Sequence, residues 1–86
     1  MTNNVEPLLR RPSVQNASGQ SRSTLYLRIS EGLWTRPVII GPRSVAWPAS
    51  EVAALNAARI AGRSDDQIRA LVVKLEAARI VSAQEV

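Results

Sequence analysis

Stop signals cut this chain into short pieces. Gly19, Gly32, Gly41-Pro42, Pro48 and Gly62 each follow a stretch with regular apolar spacing. Glycine supplies the left-handed residue that closes a helix, and proline removes a backbone donor and blocks continuation. No periodic segment before Gly62 has room to grow long, and no apolar run approaches the roughly 18 residues that span a membrane. What remains is a small fold of short helices and turns.

The pieces can be read in order. Met1 to Pro7 is polar and aperiodic, a tail expected to be mobile. Leu8 and Leu9 begin the apolar content. Pro12-Ser13-Val14 opens a weakly written helix that stops at Ser18-Gly19. Ser21 is a good N-cap for a second helix over 21–31, and Gly32 suits the left-handed residue after it. Two helices joined by a short turn containing glycine form the helix-turn-helix pattern. Val38-Ile39-Ile40, the turn Gly41-Pro42-Arg43, and Ser44-Val45-Ala46-Trp47 then predict a β-hairpin with an arginine at its tip, broken by Pro48. Val45 and Trp47 share one face, which puts Trp47 in the core; Trp34 is expected there too.

An alanine-rich helix runs from Ser50 to Ala61 and ends at Gly62. Ser64-Asp65-Asp66-Gln67 is a capping box for a last helix, expected to reach about Ala83. Asp65 and Asp66 lie at its positive end and Arg79 near its negative end. The order of helix, turn, helix, hairpin, helix, helix predicts a mainly α fold with a small β-hairpin, a winged helix-turn-helix plus a C-terminal helix. The expected organisation is a flexible tail over 1–7, the winged helix-turn-helix over 8–63, and the C-terminal helix over 64–86.

Composition removes whole classes of function. Among 86 residues there is no cysteine and no histidine, hence no disulfide, thiolate nucleophile, imidazole base or ordinary zinc site. No carboxylate pair is set among apolar residues in a way that would tune a catalytic acid and base, and the glycines form no phosphate-cradling loop. The chain is therefore expected to be no enzyme and to need no cofactor. Met1 to Pro7 carries no basic and apolar leader, so a cytoplasmic, nucleoid-associated location is expected, with no membrane partner.

Charge placement points to nucleic acid. The formal net charge is +4. Residues 1–43 hold six arginines (Arg10, Arg11, Arg22, Arg28, Arg36, Arg43) against Glu6 and Glu31, so the whole excess lies there; residues 44–86 balance to zero. At roughly 100° per residue, the 21–31 helix turns Leu25 and Ile29 to the core and Ser23, Leu27 and Ser30 outward. Arg22 and Tyr26 lie on one border, Thr24 and Arg28 on the other. Arginine can bind guanine bidentately, and serine, threonine and tyrosine hydroxyls can bind phosphate or base. The candidate DNA-binding set is Ser21, Arg22, Ser23, Thr24, Tyr26, Leu27 and Arg28, with Arg36, Arg43 and Ser44 from the hairpin. The competing reading of the Ser-Arg-Ser-Thr string is a cap followed by a solvated face.

The run from Leu8 to about Arg63 resembles the AlpA-type phage regulatory proteins, relatives of the excisionase and MerR-like DNA-binding domains. The resemblance lies in Leu8-Leu9-Arg10, Ser21-Arg22-Ser23-Thr24-Leu25-Tyr26, Ile29 with Glu31-Gly32, Arg36-Pro37-Val38, Gly41-Pro42-Arg43-Ser44-Val45 with Trp47, Ser50-Glu51-Val52, and Ala57-Ala58-Arg59-Ile60-Ala61. It implies a winged helix-turn-helix that binds double-stranded DNA as a transcriptional regulator or excision (recombination directionality) factor of a prophage or integrated element. It also implies that Arg22, Ser23, Thr24 and Tyr26 belong to the recognition helix and Arg43 to the wing tip. Gln20 stands where such proteins usually have a leucine-like residue, and Leu27-Arg28 where they usually have arginine then leucine. Arg28 must then run past the core edge or find an acidic or phosphate partner.

The last helix has two readings. Its stripe of Ile68, Leu71, Val72 and Leu75 either folds back on the small core or pairs with a second chain. Such DNA-binding modules commonly work as dimers on paired half-sites, so self-association through these four residues, as a homodimer, is the expected use. The alternative function is a small interaction module whose last helix recruits a recombinase (integrase) or polymerase.

Overall fold

The structure, a computed structural model, describes residues 5–84, so Met1 to Asn4 of the expected tail lie outside the described residues, as do the last two. The elements run β1 (Leu8–Arg10), α1 (Arg11–Ser18), α2 (Arg22–Ser30), β2 (Val38–Gly41), β3 (Ser44–Pro48), α3 (Ala49–Ile60) and α4 (Asp65–Gln84). This is the winged helix-turn-helix plan, mainly α, with one addition: the hairpin is part of a three-stranded antiparallel sheet of order β1-β3-β2. β1 places Leu8 opposite Pro48, Leu9 opposite Trp47 and Arg10 opposite Ala46. A three-residue strand has no readable period of its own. It exists because β3 supplies its hydrogen-bonding partners.

The chain just before β1 is also tied down. Pro7 O accepts from Ala49 N at 2.9 Å, and the Glu6 carboxylate accepts from both the backbone N–H and the hydroxyl of Ser50. Pro48 has no side chain to cap α3, so Glu6 satisfies an orphan donor of that helix and sits at its positive end.

β3, between two partners, is the buried strand. Ala46 and Trp47 are fully buried, and Trp47 Nε1 donates to Thr35 O at 2.8 Å, fastening the α2–β2 connection to the sheet. The core joins Val14 of α1, Leu25 of α2, Leu33 and Trp34 of the connection, Trp47, Val52 and Leu55 of α3, and Ile68 and Val72 of α4. Both tryptophans are thus core residues, and each helix contributes at least one side chain.

α4 begins with the expected capping box: Gln67 N donates to Ser64 Oγ at 3.2 Å, and Ser64 N to Gln67 Oε1 at 2.9 Å. Its apolar stripe is spent inside its own chain. Ile68 and Val72 are buried in the common core, and Leu71 and Leu75 pack against it half-buried. This corrects the expectation that Ile68, Leu71, Val72 and Leu75 form a dimerisation face. A core of four short helices and a small sheet exposes apolar area that α4 covers more cheaply than a second chain could, since association loses translational freedom.

Candidate nucleic-acid interface

α1 and α2 are joined by Gly19, Gln20 and Ser21. Gly19 is left-handed (φ 72°), and its N–H bonds Gln15 O at 2.8 Å, closing α1. Asn56 of α3 reaches across to donate to Ala17 O at 3.0 Å, so α3 helps hold the turn. Gln20 is buried, and its polar atoms are both satisfied: Nε2 donates to Ser18 Oγ at 2.8 Å, and Oε1 accepts from Arg28 Nη1 at 2.9 Å. Arg28 therefore neither runs past the core edge nor finds an acid. It is half-buried and clasps a neutral amide across the turn, which sets it apart from the outward DNA-facing role expected of it. The two unusual residues of this turn answer each other, as a buried amide requires.

The first turn of α2 divides its polar groups by task. Ser21 Oγ accepts from Thr24 N at 3.2 Å and donates to Thr24 Oγ1 at 2.9 Å, so these two hydroxyls serve the cap. Arg22 is exposed and has no hydrogen bond or ion pair from its guanidinium among the described residues; Ser23, also exposed, has only a 3.5 Å contact with Ser21 Oγ. Leu25 is fully buried and Ile29 packs on the core, which turns Tyr26, Leu27 and Ser30 to the outside as their spacing requires.

The hairpin carries Arg43 at its tip. Gly41 pairs with Ser44, leaving Pro42 and Arg43 as a two-residue loop, and a register slip between Ile39 and Gly41 leaves Ile40 out of the pairing. Arg43 has φ 59°, the one non-glycine residue of the described chain in the left-handed region. That conformation costs about 1–2 kcal/mol for a residue with a Cβ. Its side chain is exposed and, among the described residues, unpaired, whereas Ser44 is half-buried with its hydroxyl donating weakly to Pro42 O at 3.4 Å.

Arg36 is held elsewhere. Its backbone N–H and guanidinium both bond the Glu76 carboxylate of α4, at 2.8 and 3.1 Å, although its side chain remains 76% exposed. Burial by itself would raise the pKa of Glu76, but the two Arg36 hydrogen bonds, with the charges of Arg36 and Arg79, outweigh it and hold the carboxyl below its ordinary pKa. Beside this pair lies a group that composition alone did not reveal. Glu51, only 4% exposed, accepts two bonds from Arg79, from Nε at 2.7 Å and Nη2 at 2.6 Å, and the same Nη2 donates to Arg36 O at 2.7 Å. The hydrogen bond from Arg79 to Glu51 raises the guanidinium pKa against the opposing effect of burial. Arg79, expected near the negative end of its helix, instead bolts α4 to the first turn of α3. A signal was present: Glu51 precedes Leu55 and Ala58 by four and seven residues, on the same buried stripe. A carboxylate there needs a cation.

Of the six arginines in residues 1–43, Arg11, Arg28 and Arg36 bond Gln15, Gln20 and Glu76. Arg10, Arg22 and Arg43 have no side-chain partner among the described residues. Comparison with known proteins gives the same architecture a context. A family model described as prophage CP4-57 regulatory protein (AlpA) matches residues 7–59, more than half of the chain. A relative from Enterobacteria phage P4, described as "Uncharacterized protein ORF88", is 48% identical over 58 residues, covering 67% of this chain and 66% of its own length, just under two thirds. No solved structure matches significantly.

Proposed function

This chain belongs to the AlpA family of prophage regulatory proteins, and from that premise we propose that it binds double-stranded DNA sequence-specifically, as a transcriptional regulator or excision factor of a prophage or integrated element. In this reading α2 enters the major groove with Arg22 and Ser23 leading, and Arg43 at the hairpin tip meets neighbouring backbone or minor groove. The observation that carries it is the division among the arginines of the basic half. Three are neutralised or engaged by the protein itself, while Arg10, Arg22 and Arg43 are left with exposed, unsatisfied guanidiniums. Arg36 and Arg28 act through the fold in this reading, and Ser21 and Thr24 as the cap that orients the first turn.

The alternative, recruitment of a recombinase or polymerase through the last helix, would have to use its outward face, where Val73 and Ile80 are exposed, since Ile68 and Val72 lie in the core. Two copies on adjacent half-sites need some other contact.

The test is selection from a random duplex pool, followed by binding of the selected site over a range of salt. With Arg22 reading a base, Arg10 and Arg43 as phosphate contacts correspond to a slope of log affinity against log salt of about −2 per monomer. Binding that ignores salt, or that selects no sequence, refutes the proposal. Arg22→Ala should relax the preference at one base position by about 1–3 kcal/mol.

A further inference from the structure

The outward face of α2 is short of polar groups. Arg22 is its one outward charge, because Arg28 is drawn back to Gln20. Beyond the first turn the face offers Tyr26, Leu27 and Ser30, and the Ser30 hydroxyl is engaged, donating to Leu27 O at 2.6 Å. Leu27 itself is 57% exposed at the centre of the face, one turn beyond Ser23. Exposed leucine retains apolar area that gains free energy only when covered by another apolar group. The unpaired arginines, Arg22 at the start of the same helix and Arg43 at the hairpin tip, favour a partner that carries phosphates. On the floor of a major groove, the apolar group that base edges present is the C5 methyl of thymine.

We infer that Leu27 reads a thymine methyl in the major groove of the target, so that it, rather than a second arginine, determines specificity at the middle of α2. This rests on the proposed DNA binding and names what one position of the site must contain. Arg22 supplies a charged, hydrogen-bonded contact at the start of the helix; Leu27, five residues on, supplies a shape contact that needs one methyl.

The experiment uses the full chain and duplex oligonucleotides carrying the site selected from a random pool, with each thymine replaced in turn by deoxyuridine. The replacement removes one methyl and leaves every hydrogen-bonding group in place. At one position it should weaken binding by about fourfold, the effect of returning one methyl-sized patch to water. Leu27→Ala should bind the thymine and uracil duplexes equally, and so should Leu27→Gln, which keeps helix propensity. Both changes are at an exposed position, and unchanged thermal midpoints confirm that the fold is intact. If no thymine is sensitive to loss of its methyl, or if the sensitivity survives in both variants, Leu27 is not the reader and the inference falls, while sequence selection by the native protein stands. If the native protein selects no sequence at all, the proposed DNA binding falls and takes this inference with it.

Discussion

Arg79→Met places the docking of α4 under direct test. The substitution keeps an unbranched apolar stem and removes the guanidinium. Glu51, 4% exposed, then loses donors at 2.6 and 2.7 Å, and Arg36 O loses one at 2.7 Å. Leaving a buried carboxylate without its partner typically costs about 3–5 kcal/mol. A chain of 86 residues has about 4–13 kcal/mol of total stability at ~0.05–0.15 kcal/mol per residue, so this change consumes much of it. At about 4–8 °C per kcal/mol, the thermal midpoint should fall by about 12 °C or more, followed by circular dichroism. The double variant Glu51→Met/Arg79→Met removes both charges and fills the space with apolar atoms. It should recover most of the loss, since replacing a buried ion pair by apolar side chains of similar volume is often neutral or stabilising. A fall of less than about 1 kcal/mol on Arg79→Met, or a double variant no better than the single one, would mean that the carboxylate is not buried beneath α4.

Three further outcomes follow from the geometry. Arg43→Gly relieves the left-handed strain at φ 59° but adds freedom to the unfolded chain, so stability should stay level or rise by up to about 1 kcal/mol. Its DNA affinity should fall and the salt slope shrink by about 1, and a destabilised variant with unchanged binding would refute the assignment of Arg43 to the wing contact. Thr35 Oγ1 is buried without a hydrogen-bond partner, so Thr35→Val, which keeps the shape, should raise stability by about 1 kcal/mol in a urea titration; a loss would show that the hydroxyl is satisfied. Glu76 is held below its ordinary pKa in the fold, so the unfolded chain binds its proton first on acidification. Its contribution is present above about pH 4.3 and is lost as pH falls through the lower folded value, and Glu76→Gln should flatten that part of the stability profile.

The order of elements was legible because each boundary is written in local chemistry. Gly19 and Gly32 have the positive φ that their place after a helix requires, Ser64 and Gln67 form the capping box, and Pro42 with Arg43 makes the two-residue turn. The helical spacing of Leu25 and Ile29 sorted α2 into an inner and an outer face before any tertiary contact was known. β1 was not legible, since three residues carry no period and its partner is distant in sequence. The candidate interface divides in the same way. That Arg22 starts α2 and Arg43 tips the hairpin follows from residue spacing alone. Which arginines are free does not, because Gln20, Gln15 and Glu76 are chosen by folding.

The sequence by itself therefore determined the punctuation, the helix faces and the half of the chain in which the positive charge accumulates, all of which depend on neighbours a few residues apart. Tertiary structure alone decided what each long side chain does with its charge. Arg28 turned to Gln20, Arg36 to Glu76 and Arg79 to the buried Glu51, and the α4 stripe closed on its own core. The reason is physical: helical and strand periodicity are properties of the local backbone, whereas a flexible arginine is captured by whichever acceptor the fold brings within reach, and burial makes that capture obligatory.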